Sequence, residues 1–246
     1  MEHKAYKCIV NHSDTAILFI HGIIGTPDHF DPFIPLVPDT ISIYNLLLDG
    51  HGRSPADFSK SSMRKWETQV SLAVRELATT HDKIYIVAHS MGTLLAIEQA
   101  IRHPVIHGLF LLAVPIQIFP KPLMFSNAFK VYTGWIRHDD RHGNAAKAAC
   151  SIKQEKNPLL YLGWIGRYME LFSKIKEIRN ILPQLQTPGM VFQSSHDEMV
   201  SANAVSYLKN HSTLDVKVLK CSYHYLYDPE DLQTILQAFV SFITEK

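Results

Sequence analysis

The sequence predicts an α/β fold: a mostly parallel central sheet with helices on both faces, interrupted by a mainly helical cap at about residues 115–186. Three observations carry this. Short apolar runs alternate with segments of helical period, which implies parallel strands joined by helical crossovers. One strand passes directly into a helix through a five-residue turn, Ala88-His89-Ser90-Met91-Gly92. A long stretch in the second half loses the alternation and is punctuated by Pro and Gly. The 246 residues suit a single domain over residues 1–246, because α/β chains commonly exceed 200 residues without splitting.

The elements follow in order. Residues 16–20 and 41–48 are continuous apolar runs closed by Gly-containing turns, as buried parallel strands are. Residues 62–80 place Trp66, Val70, Ala73, Val74 and Leu77 at three- and four-residue steps and predict a helix. Residues 84–88 then predict a strand, 91–102 a helix that stops before Pro104, and 108–114 the next strand. After the insertion the alternation resumes, with strands at 189–193 and 214–219 and a helix at 201–210. A closing helix spans 229–244, where Asp228 can cap and Pro229 suits the first helical position. No internal repeat is present.

Composition excludes several classes. Hydrophobic residues make up 46% and charged residues 19%, enough apolar material for a sizeable core and too much for disorder. The formal charge of +1 provides no global field toward nucleic acid, so no nucleic-acid partner is expected. The apolar stretch at 108–119 is too short to span a bilayer. The N-terminal residues lack an apolar segment behind a basic start, so a cytoplasmic location is expected. Cys8, Cys150 and Cys221 are far apart with no CxxC spacing, which argues for reduced thiols and against a zinc site. The sequence His138-Asp-Asp-Arg-His142 is a metal motif only if a helix and further ligands complete it.

Charge is unevenly distributed. Residues 115–186 hold 11 Lys or Arg against 5 Asp or Glu, a net of +6, whereas the remainder holds 13 against 18, a net of −5. Nine aromatics also fall in the insertion, and their usual role, packing the cap onto the sheet, is the expectation. The positive excess suits anionic surfaces.

The turn around Ser90 carries the chemistry. A serine at the tip of a sharp strand-to-helix turn projects its Oγ above the sheet edge, and the residues two before and two after it must be small. Ala88 and Gly92 meet that requirement. With Leu18-Phe-Ile-His-Gly-Ile-Ile-Gly, Leu48-Asp-Gly-His-Gly-Arg-Ser-Pro, Ser195-His-Asp-Glu-Met-Val and Ser222-Tyr-His-Tyr-Leu, this turn resembles the α/β-hydrolase family. The narrower likeness is to small cytoplasmic carboxylesterases and monoacylglycerol-lipase-like enzymes, and it runs from residue 18 to 226 in the family's order.

The resemblance implies a serine hydrolase that cleaves carboxylic esters of hydrophobic acyl groups, a small-molecule and lipid-like substrate, and no metal or organic cofactor. Ser90 is the nucleophile. A serine hydroxyl needs a base, and that base needs a carboxylate to orient it. Asp197 fits the acid loop, with Glu198 and Asp228 as rivals; His224 fits the base, with His211 and His196 as rivals. The oxyanion donors are the backbone N–H of Met91 by position and of Ile23 by resemblance. His21, His51 and Arg53 read as scaffold. An aspartate at position 90 would suit epoxide or haloalkane chemistry, but serine stands there. Thioesterase, acyltransferase or C–C hydrolase activity on the same triad, or a low-turnover binding protein, fits the same residues.

Overall fold

The computed structural model describes residues 3–244. Among them seven strands form one sheet: β1 (Tyr6–Cys8), β2 (Thr15–Ile20), β3 (Ser42–Asn45), β4 (Lys83–His89), β5 (Ile106–Leu112), β6 (Gly189–Ser194) and β7 (Leu214–Leu219). Their order is β1-β3-β2-β4-β5-β6-β7. Only β1 is antiparallel to its neighbour. The helices are α1 (Pro55–Ser59), α2 (Met63–Leu77), α3 (Met91–Arg102), α4 (Pro122–Thr133), α5 (Arg141–Ala149), α6 (Trp164–Ile181), α7 (Asn203–Lys209) and α8 (Pro229–Thr244).

The central strands are apolar through their middles, with polar residues such as Lys83 and His107 near their ends, because both faces of the sheet are covered. Alternation along β2 sends Ala16, Leu18 and Ile20 into one core with α2, α3 and α6. Ile17 and Phe19 enter the other, where α8 contributes Ile235, Phe239 and Ile243. Asp228 starts α8 as expected, its Oδ1 accepting the Glu230 N–H at 3.0 Å.

The expected strand at 41–48 is shorter, Ser42–Asn45. Leu46 and Leu48 stay buried, but the backbone turns away so that the Leu48 N–H meets the His21 ring. The strand expected at 108–114 is Ile106–Leu112; Ala113, at φ 54°, turns the chain out of the ladder. β1 and α1 were not expected. β1 is an exposed edge strand without apolar alternation. α1 has five residues and is fixed by a capping box between Ser54 and Asp57.

Between β5 and β6 lie α4, α5 and α6. α6 is tied to the rest of the protein by Lys174, whose buried Nζ lies 2.7 Å from Glu67 of α2 and 2.9 Å from Glu98 of α3. Arg167 adds a bond of 2.8 Å to the Ser59 carbonyl and another to that of Ser61. The aromatics do not all pack inward. Trp164 and Tyr168 join the core, whereas Phe119, Phe125, Phe129, Tyr132, Trp135 and Phe172 are exposed, because α4 and the outer face of α6 have no further layer above them.

Candidate active site

Ser90 sits between β4 and α3 with φ 52° and ψ −125°, a conformation costly for a residue with a Cβ and kept only where the surroundings enforce it. Those surroundings are identifiable. The Ser90 N–H is held by the Leu112 carbonyl at 2.9 Å. α3 lies so close to β2 that a Cβ on Gly92 would stand 2.2 Å from the Ile20 carbonyl oxygen. Only glycine fits there.

The three residues expected to act together are together. The His224 Nδ1–H donates to Asp197 Oδ2 at 2.8 Å, and His224 Nε2 lies 3.1 Å from Ser90 Oγ. Asp197 is held in turn by its Oδ1, which accepts the N–H groups of Met199 and Val200 at 2.7 and 2.8 Å. Burial opposes the His224 cation, but the Asp197 carboxylate and the hydrogen bond to it, with Glu198, outweigh burial and raise the His224 pKa above its usual value. Burial likewise opposes the Asp197 anion and is outweighed by His224 and the two amides, so Asp197 titrates below its usual range.

The rival residues stand elsewhere. Asp228 caps α8, His196 is exposed and His211 lies beyond the end of α7. Glu198 is buried, and its Oε2 accepts the backbone N–H of His224 at 3.0 Å. It therefore fixes the loop that carries the imidazole.

The Ile23 and Met91 amides flank Ser90. Gly22 is close enough that a Cβ on it would lie 2.9 Å from the Ser90 Cβ, and Met91 opens α3. Among the described residues neither amide donates to a protein acceptor. The Ile23 amide belongs to a tight turn in which the Gly25 N–H bonds to the Gly22 carbonyl at 3.0 Å. Ile24 occupies the position of that turn that favours glycine, at φ 52°. His21 holds the turn as a neutral ring: the Leu48 N–H donates to Nε2 and Nδ1–H donates to the Gly22 carbonyl. Burial lowers its pKa to about 4. His51 is buried against Phe58 and Trp66, while the Arg53 side chain is exposed and only its carbonyl is engaged, by Lys153.

Sequence reasoning missed the rings behind the base. His89 Nε2–H donates to the His224 carbonyl at 3.1 Å. Its ring lies 4.1 Å from that of His29 and 5.5 Å from that of Tyr225. Burial keeps His89 neutral and lowers the pKa of His29 to about 3. The place of His89 beside Ser90 was a usable signal; that of His29, 60 residues away in sequence, was not.

Two hollows meet at Tyr225, the residue after His224, although Ser90, Asp197 and His224 line neither. A cavity of about 340 Å³ is lined by Ile24, Met199 and Tyr225 on the triad side and by Val131, Trp164 and Tyr168 on the helical side. A wider groove of about 980 Å³ runs past His29, Asp28, Asp31, Asn144 and Lys147 and shares Ile152 and Tyr225 with the cavity. The first is almost wholly apolar, and the second is mixed, with polar side chains set in a largely apolar lining. His138 and His142 do not make a metal site: Asp139 pairs with Arg137, Asp140 caps α5, and His142 packs on Tyr223. No group of three or more metal-ligating side chains is found among the described residues.

The chain resembles several solved structures. A metagenome-derived lipolytic enzyme, LipS or LipT, is 18% identical, with a TM-score of 0.77 over 100% of this chain and 98% of that one. Monoacylglycerol lipase from Paleococcus ferrophilus is 17% identical, with a TM-score of 0.72 over 99% and 98%. Est1E from Butyrivibrio proteoclasticus, solved with ferulic acid bound, is 19% identical, with a TM-score of 0.66 over 98% and 94%. No curated protein matches the chain. At these identities the likeness concerns the fold. The model of the alpha/beta hydrolase family, however, matches residues 17–233, most of the sequence, and the chain belongs to that family.

Proposed function

We propose that the protein is a serine carboxylester hydrolase acting on esters of hydrophobic acids, with residues 115–186 as the cap of a single domain. The observation that carries this reading is the pair of distances at His224, 3.1 Å to Ser90 Oγ and 2.8 Å to Asp197 Oδ2. A base poised between nucleophile and carboxylate is what a serine hydroxyl needs.

Ser90 Oγ attacks the ester carbonyl and its proton passes to His224 Nε2. The carbonyl oxygen becomes anionic and is stabilised by the N–H groups of Ile23 and Met91. His224 then protonates the leaving alcohol, leaving an acyl group on Ser90. Water attacks this acyl-enzyme as His224 takes its proton, and collapse of the second tetrahedral intermediate returns the proton to Ser90 and frees the acid. Asp197 keeps Nδ1 protonated and stabilises the imidazolium that forms at each step. The apolar cavity suits the acyl chain, and the mixed groove, with its polar side chains, the leaving alcohol.

The test is a p-nitrophenyl ester series from acetate to palmitate on wild type and Ser90→Ala. Turnover is expected to peak at an intermediate length, to vanish in Ser90→Ala, and to favour longer chains once Trp164→Ala enlarges the cavity. Turnover no greater than that of Ser90→Ala at every length would overturn the reading in favour of thioester, C–C or binding roles.

A further inference from the structure

Ten of the sixteen exposed large apolar side chains among the described residues lie between Phe119 and Phe172. They are ordered. On α6, Ile165, Met169 and Phe172 form an outward stripe at four- and three-residue steps, each 48% to 64% exposed, opposite the buried Leu171, Ile175 and Ile178. The stripe continues one turn on to Lys176. On α4, Phe125 and Phe129 repeat the arrangement, four and eight residues after Lys121, at the helix start. Trp135, just beyond α4, is 80% exposed. Scattered apolar residues on a surface need no explanation, but ordered stripes on two helices that line the same cavity do.

Both stripes border the apolar cavity. α4 lines it with Met124, Ala128 and Val131, and α6 with Trp164 and Tyr168. Ala128 is itself exposed, so the cavity opens beside the stripes. The charge around them is unbalanced. Arg137, Lys130, Arg167 and Lys174 are paired with four of the cap's five carboxylates. Among the described residues the other seven cap cations, including Lys121, Lys156 and Lys176, have no carboxylate partner, and Glu155 is the one carboxylate left over.

We propose that this face docks the protein on an anionic lipid bilayer, with the mouth of the cavity turned toward it. Apolar and aromatic side chains rimmed by free lysines suit an interface where rings enter the acyl boundary and cations meet headgroups. A second copy is the poorer occupant, since two caps would bring like charges of +6 face to face.

Binding is measured on the Ser90→Ala protein, so that its outcome is independent of hydrolysis, by co-flotation with vesicles of phosphatidylglycerol or phosphatidylcholine. The expected result is selective binding to phosphatidylglycerol that weakens as salt rises. The triple variant Ile165→Ser/Met169→Ser/Phe172→Ser and the charge reversal Lys121→Glu/Lys176→Glu should each bind about tenfold more weakly or less. Carried in the Ser90 protein, neither set should alter turnover of a short soluble ester. Absence of binding, equal binding to both lipids, or wild-type affinity in the triple variant would overturn the proposal. So would self-association in sedimentation velocity that the triple variant abolishes, which assigns the face to a second copy.

Discussion

Phe110 and Phe129 are the same residue type in opposite circumstances: Phe110 on β5 is fully buried, and Phe129 on α4 is 60% exposed. The contrast separates the sheet-based body from the cap. In the body most apolar side chains are enclosed by helices and strands, Leu72 and Val218 being among the few that are exposed. In the cap the enclosed ones are chiefly those on the inner face of α6, with Ile152, Leu182 and Leu185. The body therefore provides a rigid frame for Ser90, His224 and Asp197, while the cap provides a cavity wall and an outer surface. The two regions should respond differently to substitution.

The largest effect should come where the body is tightest. Gly92→Ala puts a methyl carbon 2.2 Å from a carbonyl oxygen, and a loss of more than about 4 kcal/mol in urea-unfolding stability is expected. A small loss would mean that α3 can slide relative to β2. Next is the join between body and cap. Lys174→Met takes the buried ammonium from Glu98, which keeps only the half-exposed Arg102 guanidinium at 2.6 Å, and should cost about 3 kcal/mol, most of it recovered in Lys174→Met/Glu98→Leu. An equal loss in the double variant would show that packing, and not the weakened charge pairing, sets the cost. The smallest effect belongs to the cap surface: Phe129→Ser should change the melting stability by less than about 0.5 kcal/mol.

A pH experiment sharpens the same comparison at the active site. In the proposed mechanism His224 serves as base only when neutral, and its pKa in the folded protein is raised. The acid limb of kcat/KM should therefore lie above the ordinary histidine value of about 6.5, with activity falling as pH falls through it. Glu198→Gln keeps an acceptor for the His224 amide but removes a charge that favours the imidazolium. The acid limb should move to lower pH, with kcat on the alkaline plateau within a few-fold of wild type. An unmoved limb would leave Glu198 a purely structural role.

Much of the body was legible in the sequence because its rules are local. Continuous apolar runs marked β2 and β4, and the small residues around Ser90 marked the elbow. The order of Ser90, Asp197 and His224 named three residues that the fold brings within hydrogen-bond reach. Illegible features depend on neighbours distant in sequence. Glu198 reads as a rival acid until the loop at 222–226 folds so that its His224 N–H meets the carboxylate. The exposed rings of the cap look like core residues in composition, since what distinguishes them is the absence of a covering layer.

The central claim is that Ser90 is activated by His224 and Asp197. The most direct measurement is the intact mass of the folded protein after treatment with a fluorophosphonate, with peptide mapping of the adduct, in wild type and Ser90→Ala. The account predicts one adduct, on Ser90, in wild type and none in the variant. An unlabelled wild type, or an adduct that persists in Ser90→Ala, would contradict it.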